Sequence, residues 1–498
     1  MGGNYQKEMF RQLEEALQKI DALTDKVNRI EAETTNKHLR TIYEKDQEIV
    51  LIRAENSEQK ERIAKLEGEV DRLRKQLNND SSNSGSPPSS DQKPNRPNTF
   101  NSREKSVQKS GGQKNRKGYH LSKIEIRRKI EEGAMKHKVV NHGNPLVNRR
   151  YVSKYIVDIK VETIATEHRF YEDDAGKISI PEGFHSDVQY GNELKTLAAT
   201  LTGQGIVASN RVVALINEMS ANVIRISEGS IYNWQSEFGR KVIPIIENIK
   251  TKILNSPVMH VDETGSRCEE KNMYFRNYSD DKHVLYTLNP TKGKSAIEDD
   301  GVLPIYTGTL VHDHNTVNYN YGTDNAECNV HIIRYLKANC ENTQNTWSAD
   351  MIEFLTGLNR TKKLALAFGL NGFETADIEQ YQRRYDEIIV AGFASLDNTK
   401  SRVYRKDEKK LLTRMKKYKD NHLLFAVDFA VPFDNNLSER DLRVIKTKSK
   451  VSGCFRTLEG GRRFANLMSI TKTAIKQGLS PYRAVKAIFE SPALGEAE

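Results

Sequence analysis

Apolar positions at the start of the chain recur at the interval of a helix that meets a partner. Leu13, Ile20 and Val27 repeat every seven residues, as do Ala16, Leu23 and Ile30. Ile49, Ile52, Asn56, Gln59, Ile63, Leu66, Val70, Leu73 and Leu77 then follow at alternating steps of three and four. The stripe is narrow and densely flanked by charge, which predicts an oligomerisation coiled coil over 1–77 rather than a helix folded back on the chain. Asn56 and Gln59 fall inside the seam, where polar residues cost stability and fix register.

From 78 to 121 the apolar residues give way to Ser, Asn, Pro, Gly, Lys and Arg, with too little apolar surface to offset the entropy of ordering. This predicts a flexible basic arm. Across 122–250 a small region follows, with a strand pattern at Ser153–Ile164 and helical spacing between Leu194 and Phe238. Val212, Leu215, Ile216 and Met219 mark one helix and Ser227 opens the next, an arrangement compatible with a helix-turn-helix reading DNA around Asn233. Short apolar runs then predict strands at Val258–Val261, Met273–Tyr278, His283–Leu288 and Gly308–His314, the first three as an antiparallel meander, with a helix over Gly293–Asp300 before the fourth. The long span beyond, including Asp377–Ala391 and Lys406–Lys419, reads as charged amphipathic helices. It predicts a helical insertion at about 335–425 within a domain over 251–450, ahead of a helical tail over 451–498.

Chemistry enters where strand patterns end in acids. The first run stops at Asp262, Glu263 and Thr264 before a turn expected at Gly265, and the fourth delivers Asp313 in the same way. Pro432 and the Asp434, Asn435, Asn436 cluster predict a turn into a helix that carries Glu439. Two strand-end aspartates and a helical glutamate suit two Mg²⁺ ions, with Mn²⁺ as a substitute, held to polarise the attacking and leaving oxygens of a phosphodiester. His312 and His314 flank Asp313, and Cys328 and His331 lie three apart on a helix, which raises zinc as an option. In a strand the two flanking histidines point away from Asp313's face, so the expected metal stays magnesium.

A net charge of +10 and a pI near 9.1 favour an anionic partner, best met by double-stranded DNA. Lys93, Arg96, Arg103, Lys105, Lys109, Lys114, Arg116 and Lys117 in the arm face only Asp91 and Glu104, a pattern that grips phosphates without reading sequence. No apolar run is long enough to span a bilayer and no secretory apolar core opens the chain, so a cytoplasmic, nucleoid-associated protein is expected. Four scattered cysteines, Cys268, Cys328, Cys340 and Cys454, form no Cys-x-x-Cys pair and predict free thiols.

Three stretches, His260–Thr264 (H-V-D-E-T), Cys328–Arg334 (C-N-V-H-I-I-R) and Asp434–Arg443 (D-N-N-L-S-E-R-D-L-R), resemble the insertion-sequence-66 family of transposases. The linker pieces Pro87–Asp91 and Ser110–Gly118 and the tail Ala474–Tyr482 resemble it too, so the likeness covers nearly all of the chain after about residue 80. The resemblance implies a DDE recombinase. Its fold would be an α/β ribonuclease-H-like catalytic core with a helical insertion, preceded by the coiled coil and a small helical domain. Asp262, Asp313 and Glu439 would be the catalytic acids and metal ligands, with His331, Arg334, Asn436 and Arg440 near phosphate or DNA. The family follows its second aspartate with Gly and an aromatic where this chain has His314 and Asn315, which makes Asp324 the alternative second acid. Many members also carry a cysteine zinc motif ahead of the strand pattern that here is Ser153–Ile164, and this chain has no cysteine there. The expected activity is cutting of transposon ends and joining of the 3′-hydroxyl to target DNA by a homodimer or higher oligomer. The rival readings are a nuclease or resolvase, and a dimeric DNA-binding protein without catalysis.

Overall fold

A computed structural model describes residues 3–78, 121–142, 150, 152–181 and 183–491. The heptad segment is one helix, α1 (Gly3–Asn78), of 76 residues and about 114 Å at 1.5 Å per residue. Its seam faces no other part of the described chain: Leu13 is 58% exposed and Leu66 54%. Near its end Asp71 accepts a hydrogen bond from the Ser401 hydroxyl, and its carbonyl accepts one from Tyr404 at 3.4 Å. Residues 79–120 lie outside the described residues, and with them the basic arm and Lys114, Arg116 and Lys117.

Helix α2 (Lys123–Glu131) starts at a reciprocal cap between Ser122 and Glu125. The expected strand at Ser153–Ile164 does not form. Ile156 is 97% and Ile159 89% exposed, and the described residues of 122–250 hold no strand, only an isolated bridge between Glu172 and Ile178. An alternating apolar pattern makes a strand when neighbouring strands or a core cover it, and none of the described strands pairs with this run. Helices resume with α3 (Asn192–Thr202), α4 (Ser209–Met219), α5 (Glu228–Lys241) and α6 (Ile243–Leu254). As the spacing predicts, Val212 and Ile216 of α4 pack against Ile231 and Trp234 of α5, which Ser227 caps by accepting from the Ser230 amide.

The central sheet comprises β1 (Val258–Cys268), β2 (Lys271–Ser279), β3 (Val284–Asn289), β4 (Thr309–His312) and β5 (Asp324–Glu327), in the order β3-β2-β1-β4-β5. β1, β2 and β3 are the expected antiparallel meander; β4 joins β1 and β5 joins β4 in parallel. Helix α7 (Lys294–Asp300) lies between β3 and β4. The turn expected at Gly265 is absent. β1 runs on to Cys268 with Gly265 opposite Tyr274, and the chain reverses at Glu269 and Glu270, whose φ values of 50° and 62° are both left-handed. Backbone pairing along the whole of β2 outweighs the break that a glycine and two acids suggest locally.

Period-two alternation sends the strands' side chains to two cores. Met259, Val261, Tyr278, Leu285 and Leu310 meet α6, α14 (Leu458–Lys476) and α15 (Pro481–Glu490); Phe275, Val284, Tyr286 and Leu288 meet α13 (Asn436–Ser452) and α14. The span between β5 and α13 is helical. It consists of α8 (Asn329–Thr343), α9 (Trp347–Ala367), α10 (Thr375–Ala394), α11 (Arg402–Lys417) and α12 (Lys419–Val427), packed around Trp347, Tyr385 and Leu412 and continuous with Val311 and Ala326 of the sheet.

Candidate functional site

The parallel pairing of three strands ends side by side, and each delivers a polar group there. β4 and β5 stop, whereas β1 continues to Cys268, so Asp262 lies mid-strand opposite Asn277 and not at the strand end that the apolar run suggests. β1 pairs with β4 only from Val258 to His260, and Asp262 follows two residues on; β4 ends at His312 and Asp313 follows; β5 ends at Glu327 and Cys328 follows, capping α8. The carboxyl ends of parallel strands, where connections diverge, leave a crevice in α/β sheets. Across it lies the first turn of α13 with Glu439.

Asn435 joins these pieces. This fully buried residue donates its Nδ2–H to the Val261 carbonyl at 2.9 Å, accepts from His260 Nδ1 at 2.9 Å, and gives its backbone N–H to Cys328 Sγ at 3.3 Å. One residue therefore ties the start of α13 to β1 beside Asp262 through its side chain and to the start of α8 through its backbone. The Val261 carbonyl can only accept, which fixes the amide orientation, and the ring of His260 then carries its proton on Nδ1. Burial lowers the pKa of His260, consistent with a neutral ring.

Donor atoms of Asp313, Cys328, His331 and Glu439 all lie within 4.8 Å of one another. His331 Nδ1 is 3.1 Å from Asp313 Oδ1 and 3.9 Å from Glu439 Oε1, yet all three atoms are buried without an aligned hydrogen-bond partner. The imidazole offsets part of the charge of the two carboxylates, but with no aligned hydrogen bond among the three atoms the offset is incomplete, and a bound cation would complete it. Burial, and then the negative charges of Asp313 and Glu263, push Asp262 well above the usual carboxylate range. Burial acts the same way on Asp313, but His331, His312 and Arg334 outweigh it and hold that carboxyl below its ordinary value. Burial would lower His331; Cys328 and Asp313 overcome it and hold the imidazole well above its ordinary value, so this spot calls for positive charge. The donor set thus fits a divalent ion.

Around this centre His312 and His314 turn aside to Asn325 at 3.1 Å and to Glu327 at 2.9 Å, although β4 ends at His312 and the strand geometry expected for this triplet does not extend to Asp313 and His314. Glu327 also receives Arg414 of α11 at 2.6 Å and lies 3.3 Å from His422 of α12, anchoring the insertion to the end of β5. Burial works against its ionisation, yet these partners hold its carboxyl far below the usual range. Arg334 Nη1 lies 3.2 Å from His331 Nε2. Arg440 is exposed and bonds back to the Asn436 carbonyl at 3.3 Å, at the rim rather than in the crevice. Asp324 is exposed at the opposite end of the sheet: it opens β5 opposite Thr309, three residues or about 10 Å along the strand from Glu327. Glu263 was not singled out by sequence. It is largely buried, burial raises its pKa despite Arg276 and Lys292, and it accepts from Asn315 Nδ2 at 2.7 Å.

The family model described as Transposase IS66 family matches residues 189–463, more than half of the chain, and the protein belongs to that family. Membership gives it a transposase role, and with it DNA as the partner on which it acts. A family of unknown function (DUF6444) matches residues 6–122, which take in α1 and the linker pieces quoted above. No curated protein matches the chain. No helix among the described residues is long and apolar enough to cross a membrane.

Proposed function

We propose that the protein is a DDE transposase with a ribonuclease-H-like core over about 251–450, cutting transposon ends and joining their 3′-hydroxyls to target DNA. The observation that carries this reading is the convergence of the Asp313 and Glu439 carboxylates, neither with an aligned hydrogen bond at its buried oxygen, beside Asp262 where the parallel pairing of the strands ends against α13. Asp262, Asp313 and Glu439 hold the metal. Two Mg²⁺ ions bound there supply polarisation of the attacking and leaving oxygens of a phosphodiester. The chain's own residues do the rest: Asn435 sets the approach of Glu439 to β1, and Arg334 and Arg440 meet DNA phosphates as positive charges at the rim.

The small helical region of 122–250 and the basic arm over 78–121 add contacts to DNA, and α1 pairs with a second copy as a coiled coil, placing two active sites on two transposon ends. The exposed seam supports this, since a 76-residue helix that buries almost none of its apolar stripe has little tertiary packing to hold it. The test is incubation of the purified protein with labelled element ends, with and without Mg²⁺. Asp262→Asn abolishes cut and joined products while end binding persists. Cut DNA that is never joined would convert the reading to a nuclease, and metal-indifferent binding without products would reduce it to a DNA-binding protein.

A further inference from the structure

His312 and His314 turn away from Asp313, to Asn325 and to Glu327. Cys328 and His331 do not. We propose that Cys328 and His331 join Asp313 and Glu439 in a mixed sulfur, nitrogen and oxygen site that takes a borderline divalent ion, zinc or cobalt, in preference to magnesium. One donor atom from each residue lies within 4.8 Å of the others, and three of the four, Asp313 Oδ1, His331 Nδ1 and Glu439 Oε1, are buried with no hydrogen-bond partner. The side chains retain little exposure, 13% for His331 and 24% for Glu439.

The chemistry of the set decides the ion. Magnesium asks for near-octahedral oxygen ligands and keeps several waters, whereas a thiolate and an imidazole beside two carboxylates suit zinc. Zinc bonds of about 2.0–2.3 Å place tetrahedral ligands about 3.3–3.8 Å apart, so the widest pairs here close by about 1 Å and the His331–Asp313 pair, at 3.1 Å, opens by a few tenths of an ångström. Cys328 Sγ accepts the Asn435 N–H at 3.3 Å, the kind of outer contact that orients a metal-bound sulfur. Asp262 is outside this set, so the two metal demands overlap without being identical. Arg334 opposes the ion: metal on Nδ1 leaves a hydrogen on Nε2, which faces the Arg334 guanidinium at 3.2 Å, and this half-exposed side chain must turn away. The consequence rests on the proposed catalytic reading: zinc bound here removes Asp313 and Glu439 from the magnesium site and stops strand cleavage.

Cobalt reports the site directly. Full-length metal-free protein, with Cys340 and Cys454 replaced by Ser to remove the more accessible thiols, is titrated with Co²⁺. The expected result is one tightly bound ion with tetrahedral visible bands and a near-ultraviolet sulfur-to-cobalt band. Cys328→Ser removes the sulfur band, His331→Gln weakens zinc by more than about tenfold in competition with a chromophoric chelator, and Arg334→Ala tightens it. A sulfur band that survives Cys328→Ser overturns the proposal. So does zinc affinity that His331→Gln leaves unchanged, a measurement that stands if the Cys328 variant fails to fold. Magnesium-supported cleavage measured without zinc separates the two readings: cleavage without a cobalt site sinks only the mixed site, and a cobalt site without cleavage sinks only the transposase chemistry.

Discussion

Asn435→Ala isolates what holds the acidic cluster together, because the residue carries no charge and touches no candidate metal-binding carboxylate through its side chain. The change removes two buried hydrogen bonds, to the Val261 carbonyl and from His260 Nδ1, both 2.9 Å long. His260 is only 6% exposed, and the β4 pairing of β1 has ended at that residue, so no neighbouring strand replaces the lost partner. Leaving a buried polar group unpaired costs about 1–3 kcal/mol, so the pair is expected to cost about 2–4 kcal/mol, a sizeable share of the about 5–15 kcal/mol that stabilises a typical domain. The backbone N–H to Cys328 survives, which keeps the start of α13 near β5 but frees it from β1.

Denaturant unfolding measures the first effect. The second is functional: a shift of Glu439 by about 1 Å relative to Asp262 lowers strand cleavage by about 10²-fold at fixed Mg²⁺ and raises the Mg²⁺ concentration needed for half of the maximal rate. Asn435→Asp separates packing from bonding. It keeps an acceptor for His260 but sets an oxygen against the Val261 carbonyl, and is expected to be at least as damaging as Ala. If Asn435→Ala moves stability by less than about 0.5 kcal/mol and leaves the Mg²⁺ dependence unchanged, the clamp is not what aligns α13 with β1.

Other expectations follow from single contacts. Asp313→Asn abolishes strand cleavage whereas Asp324→Asn retains it, since Asp324 sits at the far end of the parallel strands; equal loss in both would undo the assignment. Burial lowers Lys362, 5% exposed and bonded to the Val431 carbonyl at 2.6 Å, to a pKa of about 8 from 10.5. The charged amine is thus penalised in the fold at neutral pH, and stability rises relative to Lys362→Met by about 2 kcal/mol as pH climbs from 8 through 10.5, allowing for residual solvent; a flat difference in unfolding free energy refutes it. Replacing Ile63 and Leu66 by Asp, in a seam that nothing else covers, is expected to drive the protein toward monomer in sedimentation velocity without lowering the unfolding temperature of the rest. Arg414→Ala leaves Glu327, a 2%-exposed carboxylate, to His314, Tyr319 and His422 alone, and is expected to destabilise the chain by about 1–3 kcal/mol by chemical unfolding.

Legibility along the chain tracks how local each determinant is. The heptads of α1, the meander of β1 to β3 and the helices of the insertion were readable because side-chain period alone specifies them. β5 was not. Four residues, Asp324–Glu327, with three polar side chains, carry no strand pattern and become a strand because β4 offers a parallel edge. The same non-locality works in reverse at Gly265, where pairing with β2 overrode a plausible turn, and at Ser153–Ile164, where a plausible strand has nothing to pair with.

In the candidate site, the acids were visible as charges at the ends of apolar runs, but what gathers them was not. Asn435 looked like one of several turn residues before a helix, and its work is done 174 and 175 positions away, on Val261 and His260. Glu263 looked like a neighbour of the first acid, yet its bond to Asn315 pins the loop after Asp313 to β1, 52 residues back. The groups that carry charge to the crevice announce themselves in sequence because burying them is costly anywhere. Those that set the distance between charges are neutral amides, ordinary in composition, whose meaning exists only once the strands have paired side by side. Substitutions at Asn435 and Asn315 are therefore expected to change metal dependence more than those at exposed Arg440, although Arg440 is the more conspicuous residue beside Glu439. Measuring the Mg²⁺ dependence of cleavage for Asn315→Ala and Arg440→Ala side by side tests that ordering, and a larger effect at Arg440 would mean that rim charge, not the amide framework, governs how the acids take up their ions.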